Sequence, residues 1–302
     1  MRWNDRVYGS VAIEEPAILA LIECPTFQRL KGVRQAGPSA LAFPFKNVTR
    51  FEHSLGVFNL LRRLDADRRE QVAGLLHDIS HTAFSHAVDF IVSSREQDHH
   101  EQLKPLMLNR PDLAGALGRL GYEPAEFYND SIYPLLEQPL PWLCADRLDY
   151  FLRDGMACGA VSPESAGRIL HHLAVADARI VMTDVEAARE AVRLFEVMNR
   201  DWWASDTEAF IYNEFADALR EAIKRGILHP DDLMTEDDLV LAKLDAADVP
   251  LIARKLASIR RFQPESVNGY APRIVPKARW LDPTVLTGQT VEQLSILERR
   301  RT

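Results

Sequence analysis

Apolar side chains recur at helical spacing through most of this chain. Residues 14–31, 54–64, 68–93, 98–108, 141–155, 163–175, 184–225 and 249–260 carry them three and four positions apart, among Ala, Leu, Arg and Glu, and predict helices. Strand-like runs are short and lie near 41–45, 179–183 and 273–280, each too brief to build a major sheet. Breakers fall between the helical segments, at Gly37-Pro38, 109–112, 121–124, 139–141 and Ser162-Pro163. The predicted class is mainly α, with a few short peripheral strands.

Length and charge narrow this picture. The 302 residues suit one large domain or one domain with an appendage. We expect residues 1–228 to form the main domain, with its motifs in 27–154. Residues 229–302, where acidic 231–238 gives way to basic 273–279 and 299–301, are expected to form a C-terminal lobe or subunit contact continuous with it. Hydrophobic residues make up 47% and charged residues 26%, as in a folded globular protein. The net charge of −8 repels a phosphate backbone, which disfavours a nucleic-acid partner and asks any anionic substrate to find a local cluster of cations. Three cysteines, odd in number and without a CxxC pair, suggest neither disulfides nor a zinc ribbon. With no apolar leader and no apolar run near the roughly 18 residues of a membrane span, the expectation is a cytoplasmic protein without a membrane partner.

The chemistry concentrates in a few stretches. In Val72-Ala-Gly-Leu-Leu-His-Asp-Ile-Ser-His-Thr-Ala-Phe-Ser-His86 an apolar helical run stops at three histidines and an aspartate. His77 and His81 are one helical turn apart, and Asp78 sets hard oxygen beside borderline nitrogen, a mixture suited to Mn, Fe, Co, Ni or Zn more than to Ca. Upstream, His53 lies in Arg50-Phe-Glu-His-Ser-Leu-Gly-Val. Downstream, positions 146, 149, 150, 153 and 154 of Asp146-Arg-Leu-Asp-Tyr-Phe-Leu-Arg-Asp154 form one polar stripe of a helix. No HExxH or GxxxxGK[ST] occurs, which sets aside a zinc protease and a Walker-type site.

Together these residues resemble the HD superfamily of metal-dependent phosphohydrolases, named for the pattern H…HD…D. Phe27-Gln-Arg-Leu, Gln35-Ala-Gly, Phe84-Ser-His and His100-Glu101 extend the likeness to the deoxynucleotide triphosphohydrolase branch, which includes the sterile-alpha-motif HD protein and bacterial dGTPases. The likeness covers about residues 5 to 160 and, more weakly, the chain to about 220. It implies an HD-domain helical fold and one divalent transition metal held by His53, His77, Asp78 and Asp146, with Mg admitted alongside substrate phosphates. It also implies that His81 stands beside the reacting phosphorus, that His86 and Asp89 form an orienting pair, and that His100 protonates the leaving oxygen. Arg50 and Arg147 would hold phosphates, Gln35 and Asp154 the sugar 3′-hydroxyl, and Tyr150 the sugar face. The chain departs from that branch at Ala36, where a larger apolar residue is common, at Ser80, and at Thr82-Ala83.

A single histidine is more often a packed core residue than a ligand, but the joint pattern reverses those odds. The expected activity is attack of water on the α-phosphorus of a (deoxy)nucleoside triphosphate, releasing nucleoside and triphosphate. The alternatives are a nucleoside 5′-monophosphatase or other small phosphoester hydrolase, and a non-catalytic nucleotide sensor. A sensor has no need of His81, His86 and His100 together. The expected partner is a small nucleotide, and a homo-oligomer is allowed.

Overall fold

The computed structural model describes residues 1–92, 99–273, 275–288 and 290–300. It opens with a hairpin of β1 (Arg2–Asp5) and β2 (Gly9–Ala12), followed by α1 (Pro16–Ile22), α2 (Pro25–Gln28) and α3 (Ser39–Ala42). The central helices are α4 (Arg50–Arg63), α5 (Arg68–Leu76), α6 (Ala87–Val92), α7 (His99–Leu108), α8 (Pro111–Arg119) and α9 (Ala145–Ala157). Then come α10 (Pro163–His171), β3 (Leu173–Ala176), β4 (Arg179–Met182), α11 (Val185–Met198), α12 (Asp206–Lys224), α13 (Pro230–Leu233), α14 (Asp237–Ala246) and α15 (Pro250–Arg260). The chain closes through β5 (Thr284–Thr287), β6 (Thr290–Gln293) and α16 (Leu294–Arg299). The fold is mainly α, as expected.

Several elements differ from the sequence reading, for local physical reasons. Pro25 divides 14–31 into two helices, because proline starts a helix more readily than it continues one. Residues 41–45 are a helical turn leading into coil, and Pro44 cannot donate to a strand ladder. Residues 277–283 are coil, and the last hairpin lies just beyond, with β4 pairing parallel to β5 at Met182 and Val285 in a sheet of order β3-β4-β5-β6. Residues 68–93 are interrupted after Leu76, and 184–225 are interrupted by a π-helical turn at Asn199–Trp203.

Among the described residues two large apolar clusters organise the packing, with a small third one of Phe90, Tyr212 and Ala216 beside them. One collects Phe58, Leu61, Leu75, Leu148, Phe151 and Phe195 from α4, α5, α9 and α11. The second collects Phe215, Leu219, Ile252 and Ile259 from α12 and α15, and it takes in Phe84, Ala87 and Val88 from the stretch after α5. The C-terminal third of the chain thus shares a core with residues near the histidine motif. All three cysteines are free, and no helix among the described residues is long and apolar enough to cross a membrane.

Candidate active site

Helix ends bring the histidines and aspartates together. Thr49 caps α4 through a reciprocal box: its Oγ1 accepts from the Glu52 amide at 3.2 Å, and Glu52 Oε2 accepts from the Thr49 amide at 3.0 Å. That fixed start puts Arg50 and His53 in the first turn. Helix α5 begins at Asp67, which accepts from the Glu70 amide at 2.9 Å, and it stops at Leu76, so His77 and Asp78 stand just past its end. Asp146 occupies the first turn of α9.

His53 Nε2 lies 3.1 Å from His77 Nε2 and 2.9 Å from Asp146 Oδ1, and His77 Nε2 lies 3.3 Å from the same oxygen. Asp78 joins them, with Oδ2 3.7 Å from His53 Nε2 and Oδ1 3.5 Å from His77 Nε2. The second nitrogen of each ring is already committed. His53 Nδ1 donates to Asp149 Oδ1 at 2.8 Å, and His77 Nδ1 donates to the Gly74 carbonyl at 2.9 Å. In the neutral rings both Nε2 lone pairs therefore point at one place, beside carboxylate oxygens, a donor set of nitrogen and oxygen that fits a divalent transition metal.

Without a cation, protons and charges have to balance among these groups. Burial would lower the His53 pKa, but hydrogen bonds to Asp146 and Asp149 and the charge of Asp78 push it up to about 10. Burial would raise Asp146, but bonds from His53 and His77 hold it well below the usual carboxylate range. Asp78 is likewise held low against its burial, by Arg50, His77 and His81. Glu137 runs the other way: burial and the neighbouring Asp146 charge push it up to about 7.

The polar stripe of α9 divides. Asp146, Tyr150 and Asp154 line a cavity, while Asp149 and Arg153 are buried behind it. Arg153 binds Asp149 through Nε at 2.8 Å and Asp5 at 3.1 Å, and Tyr8 Oη donates to Asp149 Oδ2 at 2.8 Å. Gly56 of α4 faces this network so closely that a Cβ there would overlap Asp149 and Arg153. Sequence reasoning did not single out Asp149 as a site residue, although its spacing from Asp146 was a signal. Asp5 and Tyr8 gave none.

The stretch from His77 to His86 is a strained loop. His81 Nε2 is 3.2 Å from Asp78 Oδ1, and His86 Nδ1 donates to Asp89 Oδ2 at 2.9 Å. Burial lowers the His86 pKa against the pull of Asp89. Phe84 and Ser85 both take left-handed backbone angles, φ 60° and 54°, at a cost of about 1–2 kcal/mol each. Burial of the Phe84 ring, about 1.5–3 kcal/mol, and the bond from its amide to Asp237 Oδ1 at 2.6 Å offset that strain. Ser85 Oγ donates to the Arg34 carbonyl at 2.7 Å and accepts from Arg50 Nε at 2.9 Å.

The cavity, about 630 Å³, runs from His77, Asp78 and Asp146 to an aromatic end at Trp202, Trp203 and Tyr212. At about 1.5 Å per helical residue, Asp154 lies roughly 12 Å along α9 from Asp146. Gln35 lines the wall, its Oε1 buried without a partner among the described residues. Asp154 Oδ2 accepts from Trp203 Nε1 at 3.1 Å, and Tyr150 packs edge-on to the same indole at 5.2 Å between ring centroids. The π turn after α11 delivers both tryptophans, which sequence alone left between core and ligand contact. Arg50 is paired with Asp78 at 2.7 Å. Arg147 does not stand ready for phosphate: its guanidinium donates to the carbonyls of Trp142 and of Gln138, the latter at 2.9 Å. The side chain of His100 lies outside the described residues, in the first turn of α7. Two buried ion pairs in the cavity wall, Lys46 with Glu208 and Lys104 with Asp130, were not foreseen.

The HD domain family model matches residues 50–111, which include His53, His77 and Asp78. The chain is 37% identical over 260 residues to the uncharacterized protein YdhJ of Bacillus subtilis, covering 86% of this chain and 80% of that one. It is 32% identical over 298 residues to the metal-dependent phosphohydrolase cns2 of Cordyceps militaris, covering 93% and 84%. A deoxynucleoside triphosphate triphosphohydrolase SAMHD1 homolog of Dictyostelium discoideum is 23% identical over 321 residues, 92% of this chain and 62% of that one. Likeness of this extent to a named phosphohydrolase, on a fold whose HD segment brings histidines and aspartates to one point, makes this chain a member of the HD family of metal-dependent phosphohydrolases.

Proposed function

We propose that this hydrolase acts on (deoxy)nucleoside triphosphates, with attack of water at the α-phosphorus and release of nucleoside and triphosphate. The observation that carries the reading is one cavity joining the histidine–aspartate cluster to an aromatic end about two turns of α9 away, with Asp146, Tyr150 and Asp154 in line. The triphosphohydrolase name of the Dictyostelium relative points the same way.

His53, His77, Asp78 and Asp146 would hold one divalent transition metal, which when bound supplies Lewis acidity to phosphoryl oxygen and to water. Arg50, fixed between Asp78 and Ser85, lends its positive charge to the reacting phosphate without having to move. His81 stands next to Asp78 at the same end. Burial favours the neutral form of His86, and its Nδ1–H is held by Asp89, which suits the ring to proton transfer. We assign His100 the donation of a proton to the leaving oxygen, on the sequence pattern. Tyr150 and Trp203 make a wall for the sugar. Gln35 Oε1 and Asp154, one of whose oxygens is engaged by Trp203, are acceptors for a sugar hydroxyl. Arg147 shapes the 138–142 loop and reaches phosphate only by giving up those carbonyls. Residues 229–302 belong to the same folded unit as 1–228 in this reading.

The test is a product assay by anion-exchange chromatography, with metal-reconstituted protein and each dNTP, NTP and nucleoside monophosphate in turn. Nucleoside plus triphosphate is the expected result. Phosphate released from monophosphates alone would move the activity to a nucleoside monophosphatase. His77→Ala and Asp78→Ala should lose both bound metal and turnover, and full activity in either would end the assignment of these ligands.

A further inference from the structure

We propose that Arg279 binds the phosphate chain of the substrate, and that the coil carrying it, residues 275–283, is a working part of the active site. The proposal rests on the phosphohydrolase reading above and goes beyond it, because that reading leaves the phosphates short of cations.

Charge bookkeeping around the cavity shows the shortage. Four of its lining cations are matched by carboxylates: Lys46 by Glu208, Arg50 by Asp78, Lys104 by Asp130, and Arg147 by Glu137. Asp146 and Asp154 add further negative charge. A polyanion entering such a cavity meets the proposed metal, Arg50 already matched by Asp78, and the two cations that the 275–283 coil adds to the lining, Lys277 and Arg279. Arg279 lines the cavity and has no carboxylate partner among the described residues. Among the described residues its one side-chain bond runs from a terminal nitrogen to the Lys277 carbonyl at 3.2 Å, which leaves most of its five donors without a described partner. It lines the same cavity as Asp78, His81 and His86 at one end and Tyr150, Trp203 and Tyr212 at the other.

The coil is anchored on both sides of this position. The Arg279 amide donates to Asn199 Oδ1 at 2.8 Å, at the start of the π turn that delivers the tryptophans. Two residues on, Leu281 is buried in the main core, and the Asp282 amide donates to the Pro141 carbonyl at 3.1 Å. Upstream, Arg273 pairs with Asp217 of α12. Pro276, Lys277 and Arg279 therefore form one wall of the cavity, fixed at Asp282 to the 138–142 loop, and the planar guanidinium they present is the side chain best matched to phosphate oxygens.

Calorimetric titration of the metal-loaded protein with inorganic tripolyphosphate tests this without relying on turnover. Arg279→Ala should weaken binding about tenfold to a hundredfold, the usual loss for a charge-assisted contact. Arg279→Lys should restore part of it, and metal content should stay the same in both. In kinetics, Arg279→Ala should raise KM for the nucleoside triphosphate far more than it lowers kcat. Equal tripolyphosphate affinity in wild type and Arg279→Ala would overturn the proposal. Should the wild type turn over monophosphates alone while Arg279→Ala weakens orthophosphate binding to the same degree, the triphosphate reading fails and the role of Arg279 stands.

Discussion

His53 shows how much of a proposed metal ligand is decided by residues that never face the cavity. Its Nδ1 is bound by Asp149, which is gripped in turn by Arg153 and Tyr8, and Arg153 is closed off by Asp5. Every member is buried or nearly so, and Asp149 is held down to about 2 because Arg153 and His53 outweigh its burial. Removing Asp149 frees the ring to rotate and to swap tautomers. Asp149→Ala should therefore weaken metal affinity about tenfold to a hundredfold, read by competition with a chromophoric chelator. Tyr8→Phe removes one hydrogen bond and should cost about 0.5–1.5 kcal/mol of stability, read by denaturant unfolding, with metal still bound. The sequence made half of this arrangement legible. Asp149 and Arg153 sat on the stripe of α9, but spacing alone could not say that the stripe faces two ways. Asp5 and Tyr8 lie 148 and 141 residues from their partners in a hairpin too short to register as strands.

At the scale of elements, the decisive one is the loop between α5 and α6. Periodicity read 68–93 as one helix, since Ser80, Thr82 and Ala83 are not breakers. What bends the chain is distant: the Leu233 carbonyl takes the Ala83 amide at 2.8 Å, and Asp237 takes the Phe84 amide. Asp237 also accepts from the Arg34 amide at 3.0 Å, so one buried carboxylate ties α14 to both walls around Ser85. Burial pushes its pKa up to about 6, from 3.8, despite these bonds. The folded state therefore keeps this proton at a pH where the unfolded chain has released it. The stability contributed by this group is greatest below the unfolded value and falls as pH rises through the window from 3.8 to about 6. Asparagine there does not titrate, so the destabilisation by Asp237→Asn should be larger at pH 5 than at pH 7. Urea unfolding at both values checks this, and an equal cost would exclude Asp237 as the titrating group.

For the whole molecule, the sequence conveyed the helical class and the gathering of the histidine motifs, because both depend on local period and short spacing. It did not convey what residues 229–302 are for. Their apolar positions complete a core with Phe84, Phe210 and Phe215, and Pro276, Lys277 and Arg279 line the cavity. A chain ended at residue 228 should accordingly expose that core, and its circular dichroism melt should lack the cooperative transition of the full chain. A sharp, unchanged transition would show residues 229–302 to be dispensable for folding.

The buried pair of Lys46 and Glu208 carries a consequence for how this pocket can evolve. The two residues are 162 positions apart, yet each is the other's charge partner, and Ser39 Oγ adds a 2.5 Å bond to Glu208. Losing either alone strands a buried charge, at a typical cost of about 3–5 kcal/mol, a large share of the marginal stability of a domain. Across descendants of this chain the two positions should drift together or stay put, so that remodelling the aromatic end of the cavity is a paired exchange and not a walk through single substitutions.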